Sequence, residues 1–349
     1  MAKYAINGKI LTRAINGQIR VATEMIRELD KLVDPGEMEI VAPHSQYTID
    51  GLQNIKINRV GKGNPHIWEQ TTYYNYLKRN KEISINFLNT HPLLRPDVTY
   101  IHDTLFSAFP NIYTSLYGRI QKIYTQMMIR NAISKAKAII TVSRFSKSEL
   151  IKYYNVPAEK VNIIYNAWQH ISRIDEDDSI FSKYSYIVKN NYLLMASGIT
   201  PQKNFKWCVE NAKYNLNQQY VVAGPREKST QDETKNTNNI FYTGRVTDGE
   251  LKALMHYCKA FIHPAIYEGF GMTPLEAIAS GCKRLILSDI PVMHEIYENS
   301  AHYIDPYKYD VNIDDILSER TRETDIILNK YSWHSSAVEL LNILREINI

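Results

Sequence analysis

The sequence is poor in cysteine. Its 349 residues carry three, Cys208, Cys258 and Cys282, far apart and with no C-x-x-C pair. That spacing argues against a disulfide frame or a zinc site and fits reduced thiols. No stretch of about 18 apolar residues occurs, so no spanning helix is expected. The opening MAKYAINGKILTR lacks the apolar core of a secretory signal, and a cytoplasmic protein is expected. No G-x-G-x-x-G follows the first predicted strand, which removes the dehydrogenase reading. No period of 20–50 residues recurs, which removes a solenoid. The only clustered Asp-x-Asp letters, Asp175-Glu176-Asp177-Asp178, fall in a polar stretch that reads as a solvated charge run. No metal site is therefore expected.

What is present is a basic half beside an acidic one. Residues 1–165 hold 22 Lys/Arg and 13 Asp/Glu, and residues 166–349 hold 19 and 24. Such asymmetry suggests that the first half meets something anionic. The aromatics of that half form no stacking platform, so nucleic acid is not expected.

The length suggests two domains, and hydrophobic runs alternate with helix-like stretches. KYAINGKIL, EMEIVAP, NIKINRV, ISINFL, DVTYIHD, AKAIITVS and KVNIIYNAW read as strands. Helices are predicted at 18–33, about 68–80, about 112–136 and about 145–154. In 18–33, Val21, Met25, Ile26, Leu29 and Leu32 share one face. After the polar ISRIDEDDSIFSKYS the pattern restarts, with strands NYLLMASG, QYVVAGP, NIFYTG, AFIHP and RLILSD. Such alternation implies parallel sheets covered on both faces. The expected organisation is a domain at 1–170, a linker at 171–190, a second domain at 191–332, and a helix at 333–349 packing back toward the first. Ligands of such sheets bind beyond the carboxyl ends of the strands. Those ends carry His102-Asp103, Ser143, Asn166, Gly198, Gly224, Gly244 and His263.

The stretch HPAIYEGFGMTPLEAIASG, 263–281, places Glu268 and Glu276 around a Gly-Phe-Gly turn, with seven residues between them. Gly269 and Gly271 permit close approach by a ligand. Thr273-Pro274 reads as a helix start, with Thr as the cap. The free N–H groups of such a start suit phosphate, and a carboxylate just past it suits the paired hydroxyls of a ribose.

This stretch resembles the signature of glycosyltransferase family 4. AKAIITVSRFSKSELIKYYNVPAEKVNIIYNA, NYLLMASGITPQKNF, NIFYTGRVTDGELKALMHYCKAFIHPAIYEGFGMTPLEAIASGC and YSWHSSAVELL are similar to further segments of that family, in the same order. The resemblance implies the GT-B fold, two Rossmann-like domains of doubly wound parallel sheet facing across a cleft. It implies a retaining transferase with a nucleotide-diphosphate sugar as donor and no further cofactor. The acceptor is expected to be a glycan or lipid-linked glycan of a bacterial surface polysaccharide, such as capsule, with rhamnosyl and mannosyl transfer among the options. A non-catalytic partner of a transferase and a nucleotide-sugar epimerase are the alternatives.

By matched position, Glu276 is expected on the ribose, Glu268 beside the donor sugar and leaving phosphate, and Lys203 on the diphosphate, with Asn204 beside it. Phe270, Gly271, Met272 and Thr273 are expected to approach the sugar and diphosphate through their backbone, and Val246 the base. His102 is expected to face the sugar, next to Asp103. Gly17, in Asn16-Gly17-Gln18, resembles the loop that closes over the phosphates. Ser197-Gly198-Ile199 lacks the usual Arg, so a second cation is sought in Arg245 or Arg226. The stretch 111–137 has no Asp or Glu, and carries Arg119, Lys122, Arg130, Lys135 and Lys137. Tyr113, Leu116, Tyr117, Ile120, Tyr124, Met127 and Met128 recur near helical spacing. It reads as a basic amphipathic helix suited to an anionic membrane surface, making the protein peripheral on the inner face of the membrane.

Overall fold

The computed structural model describes residues 3–112, 114–196, 198, 200–224 and 238–347. Arg226, Tyr113, Ser197 and Ile199 lie outside the described residues. The chain divides into two compact units, residues 1–166 with 333–349, and residues 167–332.

The first unit contains a parallel sheet of β1 (Tyr4–Asn7), β2 (Met38–Ala42), β3 (Lys56–Arg59), β4 (Ile83–Asn86), β5 (Val98–Tyr100), β6 (Ala138–Thr141) and β7 (Val161–Ile163). The spatial order is β3-β2-β1-β4-β5-β6-β7. Strands β1, β4, β5 and β6 are buried along their whole length, as expected where helices cover both faces. The helices are α1 (Gly17–Asp30), α2 (Pro65–Trp68), α3 (Tyr74–Asn80), α4 (Leu105–Ala108), α5 (Leu116–Lys135) and α6 (Arg144–Tyr154). In α1 the apolar stripe Val21, Met25, Ile26 and Leu29 is buried as its spacing predicts. Leu32 lies past its end. A π-helical turn, Glu69–Tyr73, joins α2 to α3 within the predicted 68–80 segment. The C-terminal helix Trp333–Glu346 belongs to this unit and packs on α1, and the Tyr4 hydroxyl donates to the Leu344 carbonyl at 2.9 Å.

The second unit repeats the plan with β8 (Tyr192–Ala196), β9 (Gln219–Ala223), β10 (Ile240–Gly244), β11 (Ala260–His263), β12 (Leu285–Ser288) and β13 (His302–Ile304). Their order is β10-β9-β8-β11-β12-β13, all parallel. Strand β13 carries no apolar run of its own and has no counterpart among the strands expected from the sequence. The helices are α7 (Ser179–Lys183), α8 (Phe205–Tyr214), α9 (Asp248–His256), α10 (Met272–Ala279), α11 (Pro291–Tyr297), α12 (Ile313–Ser318) and α13 (Asp325–Leu328).

Residues 171–190, expected as a linker, are built into this second unit. Ile180 and Ile187 are buried. The Lys252 ammonium donates to the carbonyls of Ile171 and Ile174, and Glu176 pairs with His256 at 2.7 Å. The acidic run is therefore tied to α9 by long-range pairing that composition does not reveal. The unit boundary falls instead between Asn166 and Ala167.

In both sheets the strand order reverses beside the first strand of the unit, and such switch points open crevices at the carboxyl edge. In the first unit this is the β1/β4 junction. There the chain leaves β1 through Gly8, where a Cβ would sit 2.4 Å from the Val41 carbonyl oxygen of β2. The obstruction is backbone, so it cannot swing aside. Gly8→Ala should cost about 1–3 kcal/mol or more, read as a lower denaturation midpoint. An unchanged midpoint would contradict this packing.

Candidate functional site

In the second unit the switch point lies between β8 and β11. The loop after β8 makes a tight turn, Pro201–Lys203, and Asn204 follows at φ 54°. The loop after β11 runs through Pro264 to Gly271. Backbone and side chain stitch the two together. Ile266 N–H donates to the Gln202 carbonyl at 2.9 Å. The Asn204 amide nitrogen donates to Pro264 O at 3.0 Å and Pro306 O at 2.7 Å. Both N–H bonds of that amide are thus spent on the protein. Asn204, expected at the donor, acts here as a tie between loops, and only its Oδ1 remains for a ligand.

Across this stitched junction Lys203 and Glu268 form an ion pair. His263, at the end of β11 and 1% exposed, donates from Nε2 to the same Glu268 oxygen at 2.9 Å. Burial alone would push the Glu268 carboxyl up. The Lys203 charge and the His263 hydrogen bond outweigh it and hold the group at about 2. Burial lowers His263 below the ordinary histidine value against the pull of Glu268, and its ring is neutral near pH 7. The arrangement is an ionised carboxylate clamped between an ammonium and a neutral N–H donor.

Helix α10 starts one residue before Thr273. Its N-cap is Gly271, at φ +84°, with no side-chain cap. Thr273 was expected to cap. The positive φ at Gly271 instead turns the chain straight into the helix. A Cβ at Gly271 would lie 2.8 Å from Met293 Cε, and the Tyr297 hydroxyl donates to the Gly271 carbonyl. Phe270 is 3% exposed, its ring edge-on to Tyr331 at 5.5 Å. Met272 and Thr273 are half-buried in the first turn of α10. Phe270 packs inward, so the backbone of 270–273 is what this turn offers a ligand.

Glu276 stands in the second turn of α10. One carboxylate oxygen accepts from His170 Nε2 at 2.9 Å, and that histidine is 2% exposed. Neither His170 nor the pairing of His263 was legible in the sequence. His170 is 106 positions from Glu276. His263 stood out only as a polar strand end. Arg245 is exposed at the end of β10, and Val246 is half-buried ahead of Thr247, which caps α9 with Glu250. Gly198 has open space where a Cβ would stand.

In the first unit, His102 and Asp103 follow β5, and Gly17 opens α1 behind the Asn16 cap. His102 Nε2 donates to the Phe87 carbonyl at 2.7 Å, so its neutral ring keeps Nδ1 as an acceptor. Burial holds this histidine below its ordinary value. The β1/β4 crevice is occupied by a buried ion pair the sequence did not suggest. Lys9 Nζ meets Glu69 Oε2 at 2.8 Å, and Asn7 Nδ2 donates to Glu69 Oε1 at 2.7 Å. Among the described residues, no three His, Cys, Asp or Glu side chains converge as a metal cluster would.

Comparisons with known proteins agree with this fold. Solved structures sharing the fold include sucrose-phosphate synthase from Thermosynechococcus elongatus, at TM-score 0.74 and 12% identity over 99% of this chain and 98% of that one. Anabaena Alr3699/HepE in complex with UDP and glucose gives TM-score 0.71 at 16% identity, over 99% and 100%. WaaG, a glycosyltransferase involved in lipopolysaccharide biosynthesis, gives 0.66 at 13%, over 97% and 94%. The architecture is GT-B. The profile described as Glycosyltransferase Family 4 matches residues 15–168, and that described as Glycosyl transferases group 1 matches residues 176–333. O-antigen chain mannosyltransferase RfbU of Salmonella typhimurium is 30% identical over 277 residues, covering 74% of this chain and 73% of that protein. O-antigen chain mannosyltransferase B of Escherichia coli is 25% identical over 262 residues, covering 70% and 65%. The chain belongs to the group 1, family 4 glycosyltransferases.

The Glu268 clamp has a pH signature. Its folded value, about 2, lies below the roughly 4.3 of an unfolded Glu. Its stabilisation is therefore fully present above the unfolded value and is lost as pH falls through about 2. Glu268→Gln leaves Lys203 without its counter-charge. The pair is partly exposed, so the loss should be about 1–3 kcal/mol at pH 7, below that of a fully buried pair. Denaturant unfolding should show a parent–variant gap that is flat between about pH 7 and 5 and closes under stronger acid. A gap that persists unchanged at the acid end would contradict the ionised clamp.

Proposed function

We propose that this protein transfers a mannosyl group, with retention of anomeric configuration, from a nucleotide-diphosphate sugar to a glycan or lipid-linked acceptor in bacterial surface polysaccharide synthesis. The observation that carries it is the Lys203–Glu268–His263 constellation at the β8/β11 switch point, beside the Gly271-capped helix. The printed activity of the O-antigen relatives supports the sugar. The bound UDP and glucose of a fold neighbour support nucleotide-sugar binding.

The roles follow from charge. The bond from the sugar's anomeric carbon to the diphosphate oxygen breaks, and negative charge gathers on the leaving nucleoside diphosphate. Lys203 and the first N–H groups of α10, after Gly271, meet that charge. They stabilise it more in the transition state than before it. The acceptor oxygen bonds to the anomeric carbon on the same face, and its proton passes to the departing phosphate. Glu268 keeps the Lys203 ammonium aimed. Glu276, oriented by His170, receives the ribose hydroxyls. Val246 and Arg245 border the base and the outer phosphate. An ammonium fixed at the phosphate does the work a divalent cation does in other transferases, and the reaction is accordingly metal-independent.

Two variants separate these roles. Lys203→Ala should reduce turnover at saturating donor by roughly a hundredfold, the scale of one preorganised donor removed. Glu276→Ala should mainly weaken nucleotide binding, by about tenfold for one or two lost hydrogen bonds to a charged group. Full turnover in the first, or unchanged calorimetric affinity in the second, would overturn the assignment. Donor turnover should also survive EDTA. Loss with EDTA and restoration by Mg²⁺ or Mn²⁺ would contradict metal independence.

A further inference from the structure

Helix α5 is apolar on two opposite sides. One side, Met128, Ile129 and Ala132, is buried. The other carries Leu116, Ile120, Ile123 and Met127, exposed by 75%, 58%, 64% and 43%. At 100° per residue these four fall within about 60° of one another, on the side facing away from the core. Tyr117, also 75% exposed, flanks the stripe on one side, and Arg119 and Arg130 flank it on the other. Met128, grouped by its spacing with the surface residues, belongs to the core, and Ile123 takes its place outside.

The exposed stripe continues into a groove. Between α5 and α2 lies a depression of about 270 Å³ with walls almost wholly of carbon, lined by His66, Ile67, Gln70, Leu93, Tyr124 and Met128. Ile67, at its rim, is 66% exposed. The polar groups of His66 and Tyr124 turn toward each other, with His66 Nδ1 3.3 Å from the Tyr124 hydroxyl and 3.1 Å from Lys9 Nζ. Monomeric proteins rarely leave so many large apolar side chains contiguous and uncovered.

Charge identifies what covers this face. From residue 104 to 148 the chain has seven Lys or Arg and no Asp or Glu. From 51 to 68, the segment leading into α2, it has Lys56, Arg59 and Lys62 and again no acid. Glu69, the next acid, is fully buried against Lys9. A stripe of isoleucine and leucine bordered by arginine and tyrosine, on segments without an acid and with the nearby Glu69 neutralised by Lys9, complements a surface that is hydrocarbon beneath and anionic above.

We propose that the α5 stripe, with Ile67 and the α2–α5 groove, is a docking face for an anionic lipid bilayer, the stripe seating among the acyl chains and the flanking cations meeting the headgroups. The face adds a membrane site to the transfer reaction proposed above, and rests on that reading only in making the bilayer the place where the acceptor is met. No helix among the described residues is long and apolar enough to cross a membrane, so the face gives reversible attachment to one leaflet.

Co-sedimentation with phosphatidylglycerol vesicles and with phosphatidylcholine vesicles tests it. The parent should bind the first at least about tenfold better and lose that binding as salt rises past about 0.1 M, where the surface field is screened within roughly 10 Å. Ile67→Gln with Ile123→Gln should lower binding by about tenfold or more, each replacement removing a side chain's burial. Arg119→Gln with Arg130→Gln should remove the preference for the anionic lipid. Nucleoside-diphosphate affinity should stay at the parent value in both pairs, which shows that they are folded. Vesicle binding equal to the parent in either pair would overturn the inference. So would a lipid-free parent dimer that the isoleucine pair abolishes, since the face would then belong to a second copy. Vesicle binding with no donor turnover would instead count against the proposed reaction and leave the docking face standing.

Discussion

The second unit is organised around one charged contact, the pair between Lys203 and Glu268. Each residue sits on a loop at the carboxyl edge of a parallel sheet, one after β8 and one after β11, where the strand order reverses. Loops in such places are free to vary. Here they are fixed by a set of mutually supporting bonds. Ile266 donates to Gln202, the Asn204 amide bridges Pro264 and Pro306, and His263 rises from β11 to share the Glu268 oxygen. An ammonium held this way is aimed and already desolvated in part. In the proposed reaction that means little reorganisation remains when the leaving phosphate develops its charge.

The same economy appears around Glu276. Its helix begins at a glycine in the left-handed region, whose missing Cβ leaves room for Met293, and the Tyr297 hydroxyl holds that glycine's carbonyl. His170, brought in by a segment that precedes β8 by some twenty residues, fixes the carboxylate. The two glutamates that flank the Gly-Phe-Gly turn are thus each held by a buried histidine, one from the strand before the turn and one from the start of the unit. The turn therefore lies between two oriented carboxylates.

Much of this was legible in the residues. Apolar runs four to five residues long alternating with amphipathic helices gave the strand sequence of both sheets, because parallel strands buried on both faces read as continuous apolar segments. The short β13 fell below that signal. The stretch around Glu268 and Glu276 and the Lys203-Asn204 pair were visible as local motifs. What stayed hidden was pairing over long distance. His170 with Glu276, Lys9 with Glu69, and Glu176 with His256 join residues 106, 60 and 80 positions apart, and no periodicity links them. For that reason the acidic run at 175–178, which faces solvent as its composition suggests, read as a linker although Glu176 pairs with His256 of α9. The two apolar faces of α5 were also merged into one in the sequence, since a helix with opposite apolar stripes lacks a single amphipathic direction.

In the proposed reaction the Lys203 ammonium, held by Glu268, recognises the diphosphate of the donor. Calorimetric titration with a nucleoside diphosphate and the matching monophosphate tests it most directly, in the parent and in Lys203→Ala. The parent should prefer the diphosphate by about tenfold or more, the scale of a charge-assisted contact, and Lys203→Ala should lose most of that preference while its monophosphate affinity is unchanged. An undiminished diphosphate preference in Lys203→Ala would contradict it.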